Sequence, residues 1–452
     1  MRLGKQVKNI VSSPAFWILI VATFLRFSLA VVNRESNDNH MEVIQRLLSG
    51  QSVDKDDCLE CFHPKLYYSL SSFLIRAFSI DDDVDQVIFT QSMNALVGSL
   101  TLIFIWKFIQ HYQISKTVKH LVFALWAFNP TYIGIHGQAS NDALVILLST
   151  ISLSSFLKYL DKRTNASLIL FSLFAGLASI TKINGLFFST GLLISLLVLL
   201  RKINATRIIR TLLVFGSFVL ILVVLFSPYV EYMKRYGTPA AHTVPRQPFP
   251  HLFDDTYYRR PGITSILSGY FTFRFFDLLK EPHSTNEVEN YPLHRTSLWS
   301  QLYARSLSVH FQEWPLSWVS HDPLVADITR IIFILGLVPL CVFVLGYFAL
   351  AQRFFSRKRG PEQDLSVHLV IASVLLGSMV ISTLFYRDYS FMKPIYLYPA
   401  TLSFVGIFLF GIRAVLPALR EHRTVFAAGA VALVMLLVVQ VTDILLLIHQ
   451  LL

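Results

Sequence analysis

Residues 14–50 read PAFWILIVATFLRFSLAVVN RESNDNHMEVIQRLLSG, and the change of pattern inside this stretch decides the fold. Positions 14–33 form an apolar run whose one charge is Arg26. A helix over that run, rising about 1.5 Å per residue, spans the roughly 30 Å of a bilayer's hydrocarbon core. From Asn39 to Leu48, apolar residues recur at helical spacing with polar ones between, as in a short amphipathic helix lying in the membrane interface. A crossing helix that hands over to an interfacial one is membrane architecture.

The rest of the chain repeats the theme. Hydrophobic residues make up 54% of 452 positions and charged residues 15%, where a soluble domain carries about a quarter charged. The N-terminal run resembles a signal peptide at first sight, with Arg2, Lys5 and Lys8 ahead of it. It exceeds a typical signal core, and Val31-Val32-Asn33 lacks a small-x-small cleavage site, so it reads as a retained first span. About eleven spans are expected: 14–33, 86–109, 118–135, 140–159, 166–181, 184–200, 207–229, 326–350, 366–386, 395–416 and 424–446. The fold class is an all-α polytopic membrane protein, one integral domain over 1–452.

Charge orients it. With the N-terminus inside, every short inner loop is basic, including Arg201 to Arg210 and Arg353 to Arg359, as the positive-inside rule requires. The net charge of +11 is spread through these loops. It forms no basic patch interleaved with aromatics, so nucleic acid is not an expected partner. Arg26 reads as snorkelling outward, and Asp443, near the outer end of the last span, as solvated. Three basic residues break the pattern on the outer side: Lys182, Arg387 and Lys393.

Two outer segments are long. Residues 33–85 hold the Asn39 amphipathic stretch and a second one over 64–80. Residues 230–326 are rich in Pro, Tyr, Phe, His and Arg, with Phe271 to Phe276 suited to the interface and Trp299, Trp314 and Trp318 to the aromatic belt. A loop of that length without a function is uncommon. Cys58 and Cys61 form a C-x-x-C with His63 nearby; no second ligand pair of suitable spacing exists, which favours a local disulfide or free thiols over zinc.

The unusual polar residues at span ends fall on the outer face: Asp38 and His40 after the first span, His63 before the second amphipathic stretch, Asn141 and Asp142 opening the fourth span, Lys182 between the fifth and sixth, and Arg387, Asp388 and Lys393 between the ninth and tenth. That set suits glycosyl transfer from a phosphate-linked lipid. An acceptor hydroxyl needs a general base, which a carboxylate supplies. A departing lipid phosphate needs cations, which Lys182, Lys393 and Arg387 provide as point charges or a fork. Plainer roles stand beside these: Asp38 as an N-cap of the following helix, Asn141-Asp142 as a cap of the fourth span, and Lys182 and Lys393 as snorkelling anchors.

Five short pieces, in order, carry a family resemblance: Asp38-Asn39-His40 through Gly50; His63-Pro64-Lys65-Leu66-Tyr67-Tyr68; Ser140-Asn141-Asp142; Thr181-Lys182-Ile183-Asn184-Gly185-Leu186; and Lys393-Pro394-Ile395-Tyr396-Leu397-Tyr398-Pro399. The chain resembles the GT-C superfamily of lipid-phosphate-sugar-dependent glycosyltransferases, closest to the protein O-mannosyltransferase and aminoarabinose-transferase branch. The pieces are similar to the family's acidic residue after the first span, His-Pro-Pro-Leu-Tyr, Thr-Lys-x-x-Gly-Leu and Lys-x-Arg-Tyr-Leu-x-Pro. Asn39 stands where the family often has Glu, Lys65 where it has a second Pro, and Ile395 where it has Arg. The long outer loop matches nothing in the family's pattern. The resemblance implies Asp38 as general base and a helical bundle with outer-face helices.

The expectation is therefore an inverting transferase moving a sugar from a polyprenyl-phosphate donor (dolichyl or undecaprenyl) to a hydroxyl on a lipid, glycan or protein acceptor. Asp38 is the catalytic candidate. Lys182, Lys393 and Arg387 are the phosphate-binding candidates, supported by His40, His63, Asn141, Asp142 and Tyr396. A divalent metal on Asp142 or His63 stays open. The membrane is a bacterial plasma membrane or that of the endoplasmic reticulum, with the site on the outer or luminal side. A lipid-linked glycan polymerase or ligase is the second enzyme reading. A transporter of lipid-linked solutes is the third, and it requires ionisable mid-span residues where this chain has mostly Leu, Val, Ile and Phe.

Overall fold

The computed structural model describes residues 12–35, 37–54, 57–58, 60–199, 205–236, 269–283, 293–311, 315–356, 365–385 and 392–452. Among these, every regular element is helical. The chain opens with α1 (Pro14–Val32), the amphipathic α2 (His40–Leu48) and α3 (Leu66–Ala77), then α4 (Asp83–Gln110), α5 (Lys116–Ala127) and α6 (Pro130–His136). Next come α7 (Asp142–Lys162), α8 (Asn165–Ser179), α9 (Ile183–Leu199), α10 (Ala205–Phe226) and α11 (Tyr229–Tyr236). The long segment that follows contributes α12 (Phe275–Lys280) and α13 (Leu298–Leu307), and the chain closes with α14 (Pro323–Phe355), α15 (Leu365–Phe385), α16 (Thr401–Glu421) and α17 (Arg423–Leu451). Among the described residues, eight helical stretches are long and apolar enough to cross a membrane, with α8 and α9 shorter but apolar.

The expected single span at 118–135 is two helices. Pro130 has no N–H to donate and disfavours helical geometry in the residue before it. The chain therefore breaks at Asn129, whose side chain accepts the Tyr132 N–H and starts α6 with proline at its first position. Arg26 explains how the break is tolerated inside the bundle. It is fully buried, not snorkelling. Its Nη1 donates to the Ala127 carbonyl at 3.0 Å and to its own Ala22 carbonyl at 2.9 Å. Carbonyls freed at a helix end need donors where water is absent.

The tenth span likewise starts irregularly. Pro394 and Pro399 keep residues Pro394–Ala400 in a 3₁₀ turn before α16 begins. That turn packs against α7 and α15, α7 lies along α8, α9 lies along α15, and α1 lies along α4. The turns at 137–141, 180–182 and 393–396 are thereby drawn to one end of the bundle, beside the Asp38 arm.

Polar side chains do occur deep in the helices. Asn94 of α4 is fully buried. Its Nδ2 donates to the Gln138 carbonyl at 2.6 Å, the Ser140 carbonyl at 2.8 Å and the Tyr67 hydroxyl at 3.0 Å. It ties the turn before α7 to α4 and α3. Asp443 of α17 is fully buried too, not solvated. Trp318 is 1% exposed, buried in the bundle and not at the aromatic belt, whereas Trp299 is 39% exposed and Trp314 lies outside the described residues.

Candidate active site

Asp38 sits in a tight turn, not on a helix. Asp38 and Asn39 both adopt left-handed backbone conformations, φ 49° and 56°. Short polar side chains tolerate this region better than most, at a cost. Neither residue caps α2: the N-cap is Asn39, with no side-chain capping bond. The Asp38 carboxylate lies instead 3.7 Å from Lys393 Nζ, with the two side chains 36% and 19% exposed. Burial alone would raise the Asp38 pKa, but the charges of Lys393 and Lys182 help hold the carboxyl below its ordinary value.

Asp142 and Lys182 form the second pair. Lys182 Nζ lies 2.7 Å from Asp142 Oδ2, and both side chains are almost fully buried. Lys182 is therefore no snorkelling anchor. Its turn is tight because Gly185, whose N–H donates to the Lys182 carbonyl, sits so close to α8 that a Cβ would fall 2.1 Å from the Ala178 carbonyl oxygen. Asn141 and Asp142 do not cap α7. Ser140 Oγ donates to Asp142 Oδ2 at 2.8 Å, and the Tyr396 ring lies 5.7 Å from Lys182 Nζ.

Asp38, Asp142, Lys182, Lys393 and Tyr396 line one cavity of about 600 Å³ including its open mouth. Thr131 and Gln138 from the α6 region line it as well, as do Val309 and Trp318 from the segment between α11 and α14. Of these four only Trp318 stands out in the sequence, and there as a residue of the aromatic belt. Small polar and apolar residues in a loop carry no chemical signature, although the loop's length was a signal that it has work to do.

Behind Asp38 lies a hydrogen-bonded cluster. Asn141 Nδ2 donates to the Tyr68 hydroxyl at 3.3 Å, and that hydroxyl lies 2.8 Å from His40 Nδ1. Burial brings the His40 pKa down to about 4, which keeps the ring neutral at physiological pH. His63 Nε2 lies 2.9 Å from Glu60, itself 4.0 Å from His40. Sequence reading passed over Glu60, although it sits between Cys58 and Cys61, which form a disulfide. His40, His63 and Asn141 therefore face one another and not the cavity's charged pairs. Arg387, with Asp388, lies outside the described residues.

The two metal-ligand candidates do not come together. Asp142 Oδ2 is taken by the Lys182 ammonium and the Ser140 hydroxyl, and His63 is engaged by Glu60. Among the described residues, no three His, Cys, Asp or Glu side chains form a ligand group.

Residues 70–232 match the family model described as dolichyl-phosphate-mannose-protein mannosyltransferase. No curated protein matches the chain by sequence. Among solved structures, the chain is similar to the Archaeoglobus fulgidus oligosaccharyltransferase in the apo form, with a TM-score of 0.51, 14% identity, and coverage of 97% of this chain and 56% of that one. The same enzyme in complex with an inhibitory peptide and a dolichol-phosphate matches with a TM-score of 0.50, 14% identity and coverage of 96% and 55%. ArnT from Cupriavidus metallidurans bound to undecaprenyl phosphate aligns with a TM-score of 0.36, 13% identity and coverage of 88% and 77%. The chain thus spans about half the length of the oligosaccharyltransferase it resembles. The helical bundle thus shares the fold of that oligosaccharyltransferase, the mannosyltransferase pattern runs through residues 70–232, and the apolar helices make the chain a multi-pass integral membrane protein.

Proposed function

We propose that the chain transfers a sugar from a polyprenyl-phosphate donor to a hydroxyl acceptor, with inversion, at the outer or luminal face of its membrane. The observation that carries this reading is the pairing in one cavity: Asp38 beside Lys393 and Asp142 beside Lys182, with Tyr396 over Lys182. A site that binds a phosphate and activates a hydroxyl needs cations and a carboxylate within one sugar's reach of each other. The dolichol-phosphate held by the oligosaccharyltransferase of the same fold and the mannosyltransferase pattern over 70–232 support the donor class.

In this mechanism Lys393, with Lys182 behind it, receives the donor's phosphate. The Asp38 carboxylate accepts the proton of the acceptor hydroxyl as its oxygen attacks the anomeric carbon from the face opposite the phosphate. The bond from that carbon to the phosphate oxygen breaks, and polyprenyl phosphate leaves with the electron pair. Asp142 compensates the buried Lys182 ammonium and fixes its position, since an isolated ammonium at that depth is costly. Arg387, near the same outer turn in sequence, is a further phosphate candidate.

A second reading has support of its own. The oligosaccharyltransferase likeness favours transfer of a whole lipid-linked glycan through the same cavity. One experiment separates the two and tests both: purified protein in lipid vesicles, given radiolabelled polyprenyl-phosphate monosaccharides and polyprenyl-diphosphate oligosaccharides with a panel of lipid, glycan and peptide acceptors. Transfer from the monosaccharide donors alone is expected. Transfer from neither donor class to any acceptor removes the proposal.

A further inference from the structure

The outer segment and the last helix hold a buried polar cluster that the mechanism above does not use. Asp443 of α17 accepts the Val309 N–H at 3.2 Å and the Ser308 hydroxyl at 3.4 Å through Oδ2. His310, also buried, bridges the same pieces: its Nδ1 lies 3.1 Å from the Trp318 carbonyl and its Nε2 lies 3.3 Å from the Asp443 carbonyl. Further along α17, Gln450 Nε2 donates to the carbonyls of Ser317 and Val319 at 2.6 and 3.2 Å. On the other side, Trp318 Nε1 donates to Asn33 Oδ1 at 3.3 Å, and Ser317 Oγ donates to Glu35 at 2.9 Å. Residues 308–310 and 317–319 are thus clamped between the last helix and the arm that leads to Asp38. A carboxylate buried in an apolar helix is expensive, so its engagement with this one segment calls for a reason.

The cavity supplies the reason. Val309 and Trp318, the two side chains so held, form part of its wall, together with charged groups that come from the rest of the chain. The fit is close: a Cβ on Gly134 of α6 would fall 2.9 Å from Trp318 Cζ3 and 3.1 Å from Val309 Cγ2. Trp318 is only 1% exposed, too little for a stacking platform, so it acts by its bulk as a boundary. The lysines take the phosphate and Asp38 the acceptor's proton, which leaves the sugar ring between them, facing this boundary.

We propose that Trp318 and Val309 set the size of the sugar the cavity admits, and that Asp443 and His310 are the positioning residues that hold this wall. The inference rests on the donor class proposed above. A rigid wall discriminates by overlap with whatever a bulkier ring adds. With the wall in place, an unsubstituted hexose is accommodated and a ring carrying an N-acetyl group is penalised.

The test is competition binding in lipid vesicles. Radiolabelled polyprenyl phosphate is displaced by polyprenyl-phosphate hexose and by polyprenyl-phosphate N-acetylhexosamine. In the wild type the hexose donor should bind at least fivefold more tightly. Trp318→Ala should reduce that preference at least fivefold, Val309→Ala should reduce it by less, and Asp443→Asn should reduce it with Trp318 intact. Polyprenyl phosphate itself should bind all variants within twofold of wild type. Trp318→Phe, which keeps most of the bulk, should stay near wild type and guards against misfolding of the alanine variant. A purely structural role predicts lowered melting temperatures with the preference unchanged, and that result overturns the proposal. Wild type that binds no polyprenyl phosphate overturns the donor reading along with it. Retained polyprenyl-phosphate binding with an unchanged preference overturns the wall alone.

Discussion

The Asp38 carboxylate and the Lys393 ammonium lie 3.7 Å apart, joining the arm after the first helix to the turn before the tenth span. In the resting protein the proposed base and one of the proposed phosphate-binding cations therefore neutralise each other. The pair is partly exposed, which makes it worth no more than about 1 kcal/mol and easy to exchange. The Asp142–Lys182 pair is buried and short, and its members are not free to part.

Asp38→Asn should turn over about 10²–10⁴-fold more slowly, the usual cost of losing general-base assistance. The same variant should bind polyprenyl phosphate about two- to fivefold more tightly, because Lys393 no longer shares its charge with a carboxylate. Turnover assays and donor binding on one preparation check both. If Asp38→Asn keeps more than about a tenth of wild-type turnover while Glu42→Gln is inactive, the base is misassigned. Glu42 lies 3.4 Å from Arg46 on α2 and does not line the cavity.

The two lysines should fail differently. Lys393→Ala should weaken donor affinity by on the order of 1–3 kcal/mol, the scale of a hydrogen bond to a charged group, with little change in melting temperature. Lys182→Ala leaves the buried Asp142 carboxylate without its counter-charge, and breaking such a pair costs about 3–5 kcal/mol. Lys182→Ala with Asp142→Asn should recover much of that stability without restoring donor binding. Identical melting temperatures for the two single variants would contradict the assignment.

Acid should loosen the His40 cluster. The pKa of His40 is about 4 in the folded protein against an ordinary 6.5, so between those values the unfolded chain binds more protons. Stability therefore rises with pH through that window and is lost as pH falls from about 6.5 to 4, by up to roughly 3 kcal/mol. Melting temperatures at pH 7 and pH 5 measure it, and His40→Asn should flatten the difference.

The pH dependence of catalysis should divide as well. The acid limb of kcat/KM, which reports the free enzyme, should lie below the ordinary carboxylate range because Lys393 and its neighbours depress Asp38. The acid limb of kcat, which reports the bound complex, should lie higher, since Lys393 then faces the phosphate. Coincident limbs would argue against the exchange of partners.

Orientation is checked by labelling. In a Cys341→Ser background, single cysteines at Ser52 and Ser356 should react with a membrane-impermeant reagent from opposite sides of sealed vesicles. Labelling of both from one side would mean an odd error in the crossing count.

The sequence determined the membrane class and the apolar stretches that form the long helices, though not the breaks at Asn129 and Pro394, because burial in lipid depends on local composition and each crossing must be apolar along its own length. It also marked Asp38, Lys182 and Lys393, because charge at the ends of apolar runs is conspicuous against the positive-inside pattern. What it left open was which charges meet. Asp38 with Lys393, Asp142 with Lys182 and Asp443 with residues 308–310 are contacts between distant segments, set by how the helices pack, and nothing local in the chain records them. Arg26 and Asp443 read as outward-reaching or solvated because a charge in an apolar run has cheap escapes near a helix end. Only the packed bundle shows partners close enough to keep them inside, a freed carbonyl for Arg26 and a loop N–H for Asp443.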